Sequence, residues 1–116
     1  MKLDELKQSN YLKLNDYQHS AMRTHVEDPI RLAQYALGLA GEAGEVADLI
    51  KKHIGHGHEL DGNKLKLELG DVLWYIAGLA YLLQTSLEEI AEANIDKLQK
   101  RYPNGFSHEA SRNRSE

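Results

Sequence analysis

The chain has 116 residues, 14 Lys+Arg against 18 Asp+Glu, a net charge of −4 and no cysteine. That length suits one domain with a core, the acid balance argues against a non-specific grip on duplex nucleic acid, and the missing cysteines exclude disulfides, thiolate zinc sites and cysteine nucleophiles. The opening MKLDELKQSN has no apolar run, and the most apolar stretch, Val72 to Leu83, falls short of the roughly 20 residues of a membrane helix, so a soluble, cytoplasmic protein is expected.

Before Asn10, Leu3 and Leu6 give a weak helical signal. A helix is expected from near Asn15 to about His25, with Leu14, Tyr17, Ala21 and Met22 on one side. Asp28-Pro29 reads as the N-cap and first-turn proline of a second helix. Along it Leu32, Tyr35, Ala36, Leu39, Ala43, Val46 and Ile50 recur at helical spacing, to an end near Ile54. After the loop GHGHELDGN a third helix is expected from about Lys64 to Leu83. Ser86 and Glu89 form a capping box for a fourth, which stops before Pro103. No segment shows a strand pattern. The class is all-α, a bundle of about four helices. It forms a single domain over residues 1–106, with a flexible tail over 107–116. The third helix is apolar almost all round, which calls for burial on every side. Oligomerisation is expected to complete the bundle, with Trp74, Tyr81, Leu82 and Leu83 as interface candidates.

The second helix raises a question of charge. On a wheel at about 100° per residue with Leu32 at zero, Glu42 falls at about 280°, on the shoulder of the apolar stripe. Glu45 lies one step further round, and Asp48 lies away from the stripe, placed to pair with Lys52. The third helix carries Glu68 and Asp71, also three apart, on the face that holds Val72, Tyr75, Gly78 and Leu82. If the two helices are antiparallel neighbours, all four carboxylates converge. Like charges so close raise one another's pKa or repel. A hard cation such as magnesium resolves that conflict and recruits phosphate oxygens. Gly38, Gly41 and Gly44 each cost up to about 1 kcal/mol in a helix relative to alanine, which points to close approach of a helix or ligand.

The fourth helix places Asn94 within the stripe Leu87, Ile90, Ala91 and Leu98, flanked by Lys97 and Arg101. Either Asn94 and Lys97 reach a metal-bound phosphate, or the asparagine is satisfied by backbone and the lysine extends to solvent. Lys51 and Lys52 either favour phosphate approach or complement the helix dipole. Asn15, Gln18 and Trp74 are either base-pocket residues or cap and core residues. His53, His56 and His58 lack a defined fourth zinc ligand. A di-iron bundle is opposed by the absence of any E-x-x-H.

GEAGEVADLIKK, LELGDVLWYIAGLA and ANIDKLQKRYPNGF together resemble the MazG-type nucleotide pyrophosphohydrolases of the all-α nucleoside triphosphate pyrophosphatase superfamily. The resemblance runs from about Asn15 to Phe106. It implies magnesium-dependent cleavage between the α- and β-phosphates of a nucleotide, with manganese as a possible substitute. By residue match it implies Glu42, Glu45, Glu68 and Asp71 as metal ligands, with Glu45 also a candidate for activating water. Asn94 and Lys97 would hold phosphates, with Arg101 a further candidate. It also implies a homodimer or homotetramer. The competing expectation is a non-catalytic helical oligomer that binds nucleotide or protein partners as a regulator.

Overall fold

The computed structural model describes residues 12–114. The weak helix expected before Asn10 lies outside them. Five helices follow one another: α1 (Leu14–Ala21), continued by a short 3-10 turn (Met22–Thr24), α2 (Arg31–His56), α3 (Gly62–Leu82), α4 (Leu87–Arg101) and α5 (His108–Arg112). Among the described residues there is no strand beyond one isolated bridge, between Pro103 and Gly105. The all-α bundle is as expected.

Local chemistry sets the ends. The Asp28 carboxylate accepts from the Ile30 N–H at 2.9 Å and its carbonyl accepts from the Arg31 N–H at 3.0 Å. Asp28 and Pro29 thus form the turn that leads into α2 and are not its N-cap and first residue: the helix begins at Arg31 with Ile30 as N-cap, two residues later than expected. The helix runs two residues past Ile54, because Gly57, not Gly55, takes the left-handed conformation, with φ of 71°. That turn brings the His58 N–H back to the Lys52 carbonyl at 3.1 Å. Asp61 caps α3, accepting from the N–H groups of Asn63 and Lys64. The segment after Phe106, expected to be irregular, forms α5, capped by Ser107, whose hydroxyl accepts from the Ala110 N–H.

α3 packs chiefly on α2, and two glycines set how closely. The Tyr35 ring of α2 lies against Gly78 of α3, and the Tyr75 ring of α3 lies against Gly38 of α2. A methyl group at Gly78 would stand 2.7 Å from the Tyr35 ring, and one at Gly38 would collide with the Tyr75 ring. Gly38 thus justifies the close-approach reading, whereas Gly41 and Gly44 have nothing within 4 Å of where a Cβ would sit. The face that α2 turns to α3 carries buried Tyr35 and half-buried Gly38, Leu39, Glu42, Val46 and Leu49. Leu32, Ala36, Ala43 and Ile50 stay exposed. The packed flank is therefore centred near Glu42, not near Leu32, and the apolar sector of α2 is wider than α3 covers.

α1 acts as a clamp on the start of α4. Gln18 is 7% exposed. Its amide nitrogen donates to the carbonyls of Ala77 at 3.3 Å and Thr85 at 3.2 Å, and its oxygen accepts from the Leu87 N–H at 2.9 Å. The Asn15 oxygen accepts from the Glu88 N–H at 3.1 Å and its amide donates to the Glu88 carboxylate at 2.6 Å. Ser86 accepts from the Glu89 N–H. Three successive N–H groups that a helix leaves unpaired at its start are thus satisfied. The capping box is half formed, because the Glu89 carboxylate accepts from the Thr85 hydroxyl.

The buried core is small: Tyr35, Ala77, Ala80 and Leu87, with Tyr17, Met22, Leu73 and Ile76 against the last three. The protein exposes 8916 Å², where a compact monomer of 13.1 kDa exposes about 6,400 Å². Its radius of gyration is 17.3 Å, against about 13 Å for a compact chain of this length.

The glycine contacts yield a contrast. Gly78→Ala is expected to destabilise the fold by about 1–3 kcal/mol through overpacking against Tyr35. Gly44→Ala, in open space, is expected to stabilise it by up to about 1 kcal/mol. Urea denaturation of both variants checks this; equal shifts of the same sign would contradict it.

Candidate metal centre

The α2–α3 face brings acids together where each helix buries its flank. Glu42 of α2 and Glu68 and Asp71 of α3 each offer a carboxylate oxygen, and these oxygens lie within 4.8 Å of one another. Glu42 and Glu68 are half-buried and Asp71 is exposed. The Glu68 carboxylate beside Glu42 is the first cause that holds the Glu42 carboxyl above the usual glutamate range, because a neighbouring carboxylate oxygen favours its protonated form. Burial and the charges of Asp71, Glu68 and Glu45 push the same way. α1 adds Tyr17, whose phenol is raised by burial and further by the Asp71 charge.

Above Glu42 and Asp71 lies a hollow of about 320 Å³ walled by Trp74 and Tyr75. Trp74 is fixed by its indole N–H, which donates to the Ala21 carbonyl at 3.1 Å. Tyr35 is fixed behind it: its hydroxyl meets His25 Nδ1 at 2.6 Å, and His25 Nε2 meets Glu27 at 2.9 Å. From sequence, Tyr75 belongs to an apolar face and His25 has no role at the site. The available signal for Tyr75 was its position four residues after Asp71, one turn further along the same face.

The other residues singled out from sequence are distributed as follows. Glu45 is exposed, one turn beyond Glu42, and is outside the three-acid group, though its charge contributes to raising Glu42. Lys52 binds Asp48 at 2.8 Å, as its spacing suggested, and this contact raises Lys52 and lowers Asp48. Lys51 reaches the same carboxylate at 3.5 Å. Gln18 uses its amide on Ala77, Thr85 and Leu87, so it serves the fold rather than a base pocket. Asn15 likewise caps α4. Asn94 and Lys97 are exposed on α4, and the residues lining the acid hollow come from α2 and α3. Arg101 is half-buried, with its guanidinium 5.8 Å from the Tyr102 ring centre. The loop histidines form no ligand group among the described residues: His53 bonds to the His58 carbonyl, and the His56 and His58 rings lie 6.4 Å apart.

An all-helical hairpin that closes on paired acids at i and i+3 defines a class, and comparison with known proteins agrees. Residues 31–106 match the family model of the MazG nucleotide pyrophosphohydrolase domain. The Gene 37 protein of Mycobacterium phage L5 is 38% identical over 90 residues, which span 72% of this chain and 76% of that protein. No solved structure matches the chain significantly. The chain belongs to the MazG nucleotide pyrophosphohydrolase domain family. Among the described residues, no helix is long and apolar enough to cross a membrane.

The raised Glu42 pKa has a signed consequence. A carboxyl with a raised folded pKa binds more protons folded than unfolded, so its stabilisation is full at low pH and is lost as pH rises through that pKa. The lowered Asp48 acts below this window, in the usual aspartate range and beneath it. In the presence of a chelator, the Tm of the wild type is expected to fall relative to Glu42→Gln as pH rises upward from the usual glutamate range. A difference that stays constant as pH rises would contradict the raised Glu42 carboxyl.

Proposed function

We propose that the protein is a magnesium-dependent nucleoside triphosphate pyrophosphohydrolase, with manganese as a substitute, acting in the cytoplasm as a homodimer or homotetramer. It cleaves between the α- and β-phosphates and releases a monophosphate and pyrophosphate. The observation that carries this reading is the convergence of Glu42, Glu68 and Asp71 oxygens within 4.8 Å, beside a hollow. The donor set fits the ion: all-oxygen carboxylate ligands suit a hard cation, and the neighbouring carboxylates raise Glu42 above the usual glutamate range. Magnesium, once bound, supplies charge neutralisation for the phosphates and polarises water.

The chain's own residues supply the rest. Glu42, Glu68 and Asp71 hold the ion. Glu45, outside that group yet one turn away, completes the ligand set or takes the proton of the attacking water at its carboxylate. Water adds to phosphorus, the P–O bond to pyrophosphate breaks, and the proton passes to the base. Lys52, anchored by Asp48, lends positive charge at the rim. Trp74 walls the hollow on the nucleotide side.

Asn94, Lys97 and Arg101 complete the phosphate site from α4 of a second copy. Their distance from the acid hollow in sequence and the open faces of α2 and α4 support this reading. The α4 helix is anchored by buried Leu87 and then leaves Ile90, Asn94, Ile95, Lys97 and Leu98 exposed. The α2 helix leaves Leu32, Ala36, Ala43 and Ile50 exposed. Pairing of two chains buries both surfaces and brings polar groups of α4 toward an acid hollow.

The test is a release assay on the four nucleoside triphosphates with magnesium, separating pyrophosphate from orthophosphate. Pyrophosphate is expected, with Glu68→Gln losing nearly all turnover and Lys97→Ala raising KM. A refolded mixture of the two variants is expected to recover turnover above the sum of the separately refolded variants, because one site of a mixed pair retains both groups. Orthophosphate release would contradict the bond assigned, and no recovery would contradict the shared site.

A further inference from the structure

A second hollow, of about 270 Å³, adjoins the acid site. It shares Trp74 and Tyr75 with it, so the two form one path along α3. Its volume is just below that of drug-sized ligand clefts, about 300–1,000 Å³, as suits a site for one base rather than a whole nucleotide. Three of its walls are aromatic. Tyr35 and Trp74 lie 5.2 Å apart, Trp74 and Tyr75 5.2 Å, and Tyr35 and Tyr75 6.0 Å between ring centres, all edge to face. The indole N–H is already spent on Ala21 and the Tyr35 hydroxyl meets His25. What Trp74 presents to this hollow is therefore π surface, which suits a planar heterocycle.

The polar edge of the same hollow is Arg31 and Gln34. Arg31 Nε donates to the Val26 carbonyl at 2.7 Å, and Nη1 donates to Gln34 Oε1 at 2.7 Å. The first contact fixes the guanidinium, and the second fixes which way the amide faces. Arg31 Nη2 and Gln34 Nε2 are left with no acceptor among the described residues. Both are donors and neither can accept. Two neighbouring donors match a base edge with two neighbouring acceptors: O6 and N7 of guanine, or N3 and O2 of cytosine. Adenine and uracil place a donor beside each acceptor and leave one pairing repulsive.

We propose that Arg31 and Gln34 form the base-reading edge of a nucleobase subsite walled by Tyr35, Trp74 and Tyr75, selecting guanine or cytosine over adenine and uracil. The proposal rests on the nucleotide reading of the acid site and names its substrate class. Neither residue touches the reacting phosphates, so both determine specificity and neither is catalytic.

Trp74 is the single tryptophan of the chain, so its fluorescence reports binding in this hollow without any turnover. Wild-type protein with magnesium is titrated with GMP, CMP, AMP and UMP. Saturable quenching is expected at about tenfold lower concentration for GMP or CMP than for AMP and UMP, and the GMP and CMP titrations decide between the two bases. Arg31→Met and Gln34→Leu are each expected to remove most of that preference. Gln34→Glu keeps the size but replaces the donor with an acceptor, so it is expected to weaken the preferred base and improve AMP. Helical circular dichroism and Tm identify any variant that fails to fold, and Gln34→Glu then decides. Equal affinities for all four bases, absence of quenching, or a preference unchanged in the folded variants would overturn the proposal. Base-selective quenching in a protein that releases no pyrophosphate would support the subsite and contradict the reaction instead.

Discussion

Three carboxylates that converge without a basic partner in the group are the constraint around which this molecule is organised. Packing Tyr35 into Gly78 and Tyr75 into Gly38 draws α2 and α3 close. The same contact puts Glu42 on the packed flank of α2, opposite Glu68 and Asp71. The helices cannot approach without bringing the acids together. The cost of that approach is visible in Glu42, whose carboxyl is raised above the usual glutamate range by Glu68 beside it, by burial and by the charges of Asp71 and Glu45. Helix packing and site chemistry are therefore one feature. Enlarging either glycine would displace the aromatic rings that wall the hollow as well as the backbones that carry the ligands.

The remainder of the fold serves that hairpin. α1 is short, yet Gln18 and Asn15 join it to α3 and to the first turn of α4. Through Ala21 it also holds Trp74 against the hollow. The chain from Met22 to Ile30 delivers His25 to Tyr35. Little apolar surface is buried in this arrangement, and the wide apolar sector of α2 and the stripe of α4 remain open. The apolar surface so left open is what the proposed pairing of chains would cover.

Much of this was legible in the sequence, for physical reasons. The three long helices and the short α1 follow from apolar periodicity and, for α4, from Ser86, whose capping chemistry acts within a few residues. The paired acids were legible because i and i+3 lie on one face whatever the tertiary structure. The rotation of α2 was not. An apolar sector wider than one partner has no unique centre, and the wheel placed it at Leu32 while the Tyr35–Gly78 contact placed it near Glu42. Gln18 and Asn15 were ambiguous because their partners, Leu87 and Glu88, are about 70 residues away. The glycines at three-residue spacing looked alike, yet only Gly38 meets an aromatic ring. Arg31 and Gln34 left no mark as a pair, since an Arg and a Gln three apart are ordinary on any helix surface. Residues after Phe106 read as a tail because a five-residue helix carries too little periodicity to detect.

Direct measurement of cation binding bears hardest on the central claim, that the acids converge because a hard cation belongs among them. Calorimetric titration of the nucleotide-free wild type with magnesium, at pH values stepped upward from the usual glutamate range in two buffers of different ionisation enthalpy, reads both the affinity and the protons released. Saturable binding is expected, with protons released from the raised Glu42 carboxyl at the lower pH values, together with a rise in Tm as the site fills and loss of both in Glu68→Gln. Wild-type protein that shows no saturable heat, no proton release and no change in Tm with magnesium or manganese would contradict it.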